Sequence, residues 1–363
     1  MRLLSEEIGP RETGSAAEQA AVDYAQAQLA SYGYQVDVQT FTATGDLLRD
    51  VSVTPEGGAP IRGVMFAASA AGTASGPLVD VGLGTSDEYP DASGAVVLVQ
   101  RGEATFGDMA LRALQAGAVA LVIANNAPGP FQGGMPNQVG LPVIAIGQEE
   151  GDSLRALRAA GPLQATVTVS QPPQVTSHNV IARTPGQPCQ TLSGGHIDSV
   201  WWADGANDNA SGSAVVLELA RVAAASGLRG HCFALWGAEE VGLLGSAFFV
   251  AGVSREDRDA LRAYLNFDVL GGNAPPQAVG SRELLDRAGP LADVLGLTVE
   301  LSTRVDDIGS DHRSFARVGF PVLMLFTGGP IHTPADTLAN LDPAYAAPLA
   351  QLGLALMEDL QGP

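Results

Sequence analysis

Between residues 196 and 337, five places put acids or histidines just after a buried apolar run or at a tight, glycine-rich turn. The first is His196-Ile197-Asp198, after Thr191 to Gly195. The second is the turn Gly205-Ala206-Asn207-Asp208-Asn209-Ala210-Ser211-Gly212. The third is Gly237-Ala238-Glu239-Glu240, after Cys232 to Trp236. The fourth is Asn266-Phe267-Asp268, after Ala263 to Leu265, and the fifth is His332-Thr333-Pro334-Ala335-Asp336-Thr337, after Val322 to Phe326. The apolar runs have strand length, and helical spacing falls between them at 211–225 and 281–295. Such alternation implies an α/β sheet covered by helices on both faces. In such sheets the site lies beyond the carboxyl ends of the strands.

Taken singly, an acid after a strand is a helix cap or a loop residue, and a lone histidine is structural. Together the five form a constellation: the chain has 5 histidines, and two of them fall in this set. Imidazole and carboxylate are the ligands zinc prefers, with bonds of about 2.0–2.2 Å. Two metals about 3.5–4 Å apart need a bridging group. Two histidines, two acids that each bind one metal and one bridging acid fill such a site. One acid then remains as general base, and another can orient a histidine.

The amino end reads as a helix over 13–32, with Ser15 as N-cap, Glu18 three residues on, and Gly33 as the stop. Tyr34 to Phe41 alternates as a strand. Composition then changes. Residues 46–170 hold short β runs at 95–99, 119–123 and 143–146, with helices at 112–118 and 149–160. This stretch reads as a self-contained β-rich module closed by the linker Gln171-Pro172-Pro173.

The five motifs, in this order, resemble the secreted bacterial zinc aminopeptidases, relatives of glutamate carboxypeptidase and the transferrin receptor ectodomain. The likeness starts at Ile8-Gly9-Pro10-Arg11 and covers most of the chain outside 46–170. It implies a mixed, mostly parallel sheet sandwiched by helices, formed by 1–45 and 171–363. It also implies a metallopeptidase with two Zn2+ per chain, acting on peptide or protein N-termini. By resemblance, His196 and Asp268 bind one zinc, Glu240 and His332 the other, and Asp208 bridges them. Asp198 accepts a hydrogen bond from His196, and Glu239 is the general base. Gly309-Ser310-Asp311-His312 also matches a family motif, with His312 in the wall of the site or structural. Residues 46–170 resemble a protease-associated domain through Val97 to Gly102, Phe106, Ala116-Gly117-Ala118 and Asn125-Asn126.

Two positions depart from the family pattern. Ile331 stands where a tyrosine often precedes the last histidine, so oxyanion stabilisation must come from another donor or the metal. Asp204 replaces a proline before the Gly205-Ala206 turn. Trp201 and Trp202 read either as a wall of the substrate pocket or as core packing. A carboxypeptidase or dipeptidase on this scaffold would need a carboxylate-binding arginine, for which Arg304 and Arg313 are the candidates. A fold that has lost catalysis would be a binding protein, but such proteins lose ligands and none is missing here. A glutaminyl cyclase would lack the inserted module and the full ligand set.

A net charge of −20 argues against nucleic acid, which requires a basic footprint. All 19 basic residues are Arg. No run of 18 uncharged apolar residues suggests a membrane span. The start, Arg2-Leu3-Leu4-Ser5-Glu6-Glu7, is not a signal peptide, so the protein is cytoplasmic or has lost a leader; the family resemblance implies secretion. Cys189 and Cys232 each lie seven residues before a motif residue, His196 and Glu239. Were those strands in parallel register, the two would sit side by side. Both a disulfide and two buried thiols remain open.

Overall fold

The computed structural model describes residues 1–84 and 89–361. They divide into two compact units, 1–43 with 175–363, and 44–174. After a wide helical turn at Leu3–Ile8, the first unit forms α1, Ala16–Ser31, whose N-cap Ser15 accepts from the Glu18 N–H at 3.1 Å. The Glu18 carboxylate reaches back to the Gly14 N–H at 2.6 Å, one residue before the cap. Strand β1, Gln35–Thr44, follows.

The second unit is an eight-stranded sheet. Its strands are β2 (Val51–Pro55), β3 (Ile61–Arg62), β4 (Val64–Met65), β5 (Gly72–Asp80), β6 (Val96–Gln100), β7 (Ala120–Ala124), β8 (Val143–Ile146) and β9 (Gln164–Val169). Helix α2, Phe106–Gln115, lies between β6 and β7, and α3, Gln148–Ala160, between β8 and β9. The spatial order is β3-β2-β9-β5-β6-β7-β8-β4. β5 to β8 are parallel neighbours. Every residue of β7 and β8 is buried, as parallel strands with both faces covered require.

The chain then returns to the first unit with β10 (Gln174–Arg183), β11 (Thr191–His196), α4 (Gly212–Ser226), β12 (His231–Trp236), α5 (Leu244–Gly252), α6 (Arg255–Ala260) and β13 (Ala263–Phe267). It ends with β14 (Gln277–Gly280), α7 (Arg282–Val294), β15 (Glu300–Ser302), α8 (His312–Ala316), β16 (Val322–Phe326) and α9 (Ala346–Gln361). The sheet order is β1-β10-β12-β11-β13-β16-β14-β15. The central four, β12-β11-β13-β16, are parallel, while β10 and β14 join antiparallel.

Successive side chains on a strand point to opposite faces, and β12 displays both cores. Phe233 and Leu235 pack with α1, α4, α7 and α9 residues such as Leu29, Leu219, Leu284 and Leu356. Cys232, Ala234 and Trp236 pack on the other side with Phe249 of α5 and Phe315 of α8. Gly212, at the start of α4, lets the helix press against β13: a Cβ there would lie 2.0 Å from the Phe267 carbonyl oxygen.

Cys189 and Cys232 are joined in a disulfide with Cα atoms 5.4 Å apart. The strands are not aligned with the two cysteines opposite each other, however. Leu192 is the partner of Cys232, and His196 that of Trp236, so Glu239 lies three residues beyond His196. Cys189 reaches its partner from the turn before β11. Among the described residues no helix is long and apolar enough to cross a membrane.

Candidate metal centre

The parallel register assembles the site. Gly194 pairs with Asn266 across β11 and β13, so two residues further on His196 and Asp268 come side by side. Their Nε2 and Oδ1 atoms are 3.2 Å apart. The next strand, β12, delivers Glu239 and Glu240 from the turn after Trp236. Asp208 arrives on the irregular turn Ala206–Ser211 before α4, and His332 on the segment after β16.

Asp208 is the hinge of this arrangement. Its Oδ1 lies 2.9 Å from His196 Nε2, and its Oδ2 3.1 Å from His332 Nε2. Glu240 Oε2 is 2.8 Å from His332 Nε2, and Glu239 Oε2 is 4.0 Å from His196 Nε2. Asp208 thus divides the cluster into a half with His196 and Asp268 and a half with His332 and Glu240.

Asp198 supports both halves. His196 Nδ1 lies 3.2 Å from the Asp198 carbonyl and 3.4 Å from its carboxylate, which favours the tautomer with Nε2 free to bind. The same carboxylate accepts from the Thr13 hydroxyl at 2.9 Å and from the amides of Glu239 and Glu240 at 3.2 and 3.3 Å. Three non-glycine residues with positive φ cluster here: Ala238 at 56°, Val269 at 59° and His332 at 51°. Each costs roughly 1–3 kcal/mol and persists because the surroundings dictate it.

The electrostatics describe a surplus of acid. Burial pushes the Glu239 carboxyl well above the carboxylate range, with His196 opposing. Burial and the neighbouring Asp208 lift Glu240 to about 7. Burial works to lower His332, but Glu240 and Asp208 overcome it and hold the imidazole at about 11. His196 is raised in the same way against its burial, by Glu239 and Asp268. Asp208 is held below the carboxylate range by the two histidines, although burial works the other way. Oxygen Oε1 of Glu240 is buried with no hydrogen-bond partner. Among the described residues, His196, Asp208 and Glu240 bring ligand atoms within 4.8 Å of one another, and so do His196, Glu239 and Asp268. Buried carboxylates in excess of their cations, one oxygen unpaired, and imidazoles turned toward them fit bound divalent metal.

Other residues named from the sequence lie away from the cavity. His312 is fully buried and turns Nε2 toward the Val305 carbonyl at 3.1 Å, which fits the structural one of its two readings, and it is not among the residues that line the cavity beside the cluster. Its motif contributes Ser310 instead, whose hydroxyl donates to Asp268 Oδ2 at 2.6 Å. Trp202 donates from its indole nitrogen to the His332 carbonyl at 2.9 Å, and Trp201 packs edge-on against it. Neither tryptophan lines the cavity beside the cluster. That cavity, of about 260 Å3, is walled by Val269, Ile308, Met324, Phe326 and Ile331, and Asp208, Glu239, Glu240 and Asp268 also line it. Arg304 pairs with Asp307, and Arg313 with Asp306, and neither borders the cavity.

A family model described as "Peptidase family M28" matches residues 179–357, and one described as "PA domain" matches 74–154. The chain is 30% identical over 377 residues to "Aminopeptidase YwaD" of Bacillus subtilis, covering 93% of this chain and 78% of that protein. It is 33% identical over 264 residues to "Leucine aminopeptidase 2" of Trichophyton equinum, covering 67% of this chain and 53% of the relative, so it spans about half that fungal protein. Among solved structures, BSAP, a zinc aminopeptidase from Bacillus subtilis, superimposes with a TM-score of 0.79 at 27% identity over 99% of this chain and 92% of that one.

Proposed function

The chain belongs to peptidase family M28 and carries a PA domain, and from that premise we propose a zinc aminopeptidase with two zinc ions held around Asp208 and Glu239 as general base. The observation that carries this reading is the placement of the two Asp208 oxygens, one against each histidine Nε2 at 2.9 and 3.1 Å. His196 and Asp268 would hold one ion, and Glu240 and His332 the other. When bound, such a pair polarises the scissile carbonyl and makes water acidic enough to attack near neutral pH.

The chain's own residues do the rest. Glu239 projects from the β12 turn into the cavity and makes no ligand in this assignment. It takes the proton of the attacking water and delivers it to the leaving nitrogen, a role worth roughly 10²–10⁴ in rate. Asp198 fixes the ring of His196 and the backbone of both glutamates, so base and ligand keep their spacing. Ser310 orients Asp268 through its 2.6 Å hydrogen bond. Ile331 offers no phenol, so another donor or a bound metal would have to stabilise the oxyanion.

Among the described residues, four acids and no arginine border the cavity. That supports a free α-ammonium over a carboxylate as the recognised end of the peptide, and so an aminopeptidase over a carboxypeptidase. The apolar walls support an apolar N-terminal side chain. We assign 1–45 and 171–363 to the peptidase domain and 46–170 to the inserted PA domain, in line with the two compact units. The disulfide supports an oxidising, extracytoplasmic location.

Hydrolysis of leucyl and aspartyl anilides, each with free and acetylated amines, tests the reading. Leucyl anilide should be cleaved fastest and acetylation should abolish turnover. Equal cleavage of the acetylated compound would sink the aminopeptidase assignment.

A further inference from the structure

The loop Asp204 to Asp208 carries the bridging acid, and two buried charges outside the ligand set hold it. Arg11 is fully buried. Its Nη1 donates to the Asp204 carbonyl at 3.0 Å and its Nη2 to the Gly205 carbonyl at 2.8 Å. The same guanidinium reaches the carbonyls of Ile197, Leu4 and Gly9 at 2.7, 2.9 and 3.1 Å. Asp336 is 1% exposed. Its two oxygens accept the amides of the other end of the loop, Asn207 at 2.6 Å and Asp208 at 3.1 Å. One side chain therefore takes the loop's carbonyls and the other its amides. Gly205, at φ 61°, fits between them: a Cβ there would lie 2.8 Å from Arg11 Nη2 and 2.7 Å from the Asp208 carbonyl oxygen.

Burying one charge alone is expensive, and a buried pair recovers the expense only with good geometry and full hydrogen bonding. Here every described bond of the guanidinium goes to backbone, and so do both bonds of the Asp336 carboxylate. These charges hold backbone in place and do not meet each other directly. A Lys at position 11 could not reproduce the fork of Arg.

We propose that Arg11 and Asp336 are paired positioning residues that preset the Asp204–Asp208 loop, so that the two oxygens of Asp208 face the two histidines before metal arrives. The proposal rests on the ligand assignment given above. The loop would otherwise have to be ordered by the metal itself, at the expense of affinity.

The test titrates the whole chain, stripped of metal, with Zn2+ against a competing chelator, and records the visible spectrum of the Co2+-loaded chain. Asp336→Asn should weaken zinc binding about 10–100-fold, as loss of groups that orient ligands does, and should shift the Co2+ bands. Asp342→Asn makes the same charge change at an exposed residue whose carboxylate caps the Ala344 amide, and should leave both readouts at wild-type values. Wild-type zinc affinity and spectrum in Asp336→Asn would overturn the proposal, and so would an equal loss in Asp342→Asn. Should Asp336→Asn fail to fold, Arg11→Lys decides: weakened zinc supports the pair, and unchanged zinc overturns it. A wild-type chain that bound no zinc would strike the ligand assignment instead.

Discussion

Both units of this chain are built on sheets with a parallel centre, yet they place different side chains where the strands end. In the unit of 1–43 and 175–363, the rim carries His196, Glu239, Glu240, Asp268 and His332. In the unit of 44–174, β6 runs into Gln100 and Arg101, β7 into Asn125, and β8 into Gly147. That unit contains none of the 5 histidines. Among its described residues Asn125 is the one buried polar side chain, whereas the other unit buries Arg11, Glu18, Asp198, Asp208, Asp257, Asp268, Asp311 and Asp336. Arg101 stays half-buried, with its guanidinium 4.3 Å from the Phe131 ring centre and bonded to Asn125 at 3.1 Å. Architecture alone therefore does not separate the units; the toleration of buried charge does. Burying an ionised group opposes folding unless it is paired, bonded or ligating, so a cluster of such groups marks where chemistry is done.

The comparison breaks if the buried charges prove inert, and Glu239 offers the largest effect. Glu239→Gln should lower kcat by about 10²–10⁴ while zinc content stays at the wild-type level. Asn125→Ala, in the other unit, should leave kcat within about twofold. A Glu239→Gln enzyme with wild-type kcat would remove the base assignment.

A middle-sized effect belongs to the disulfide, which spans a sequence separation of 43 in the charge-bearing unit. Replacing Cys189 and Cys232 by Ser together should lower stability by about 2–4 kcal/mol in urea unfolding. Unchanged stability would show that the cross-link adds nothing to this unit.

The smallest effect is a pH dependence at Glu18, behind the site. Burial, aided by Asp198, pushes its carboxyl up to about 8 from an ordinary 4.5, although the Ser177 hydroxyl and the Gly14 amide work to lower it. Its folded pKa is therefore raised, so between those values the folded chain holds a proton that the unfolded chain has lost. The stability it contributes is present below the unfolded pKa and is lost as pH rises toward about 8. Glu18→Gln keeps a neutral side chain throughout. Its stability relative to wild type should rise between pH of about 5 and 8. A constant difference in urea midpoint across that range would contradict the raised pKa.

How much could be read in advance depended on how local each signal was. The turns to which metal ligands are assigned stood out because an acid or histidine after a strand-length apolar run, in glycine-rich surroundings, is a short-range pattern. The α1 cap at Ser15 was visible for the same reason. Helix α2 starts at Phe106, six residues before the expected 112; the overlooked signal was Thr105, which caps the Asp108 amide at 3.1 Å. The positioning contacts were out of reach. Arg11 meets the 197–205 stretch from nearly two hundred residues away, and it does so through backbone carbonyls that no side-chain pattern announces. Ser310 and His312 are two positions apart, and only the turn into α8 decides which of them faces Asp268. Cys189 pairs with Cys232 although Leu192 is the strand partner of Cys232, because Cys189 lies in the loop before β11 and no strand register governs it.

The central claim is a two-metal centre divided by Asp208, and zinc content tests it most directly. After dialysis against zinc-free buffer, elemental analysis should find two zinc ions per chain in the wild type and no more than one in Asp208→Asn. Two ions retained in Asp208→Asn, or a single ion in the wild type, would contradict the account.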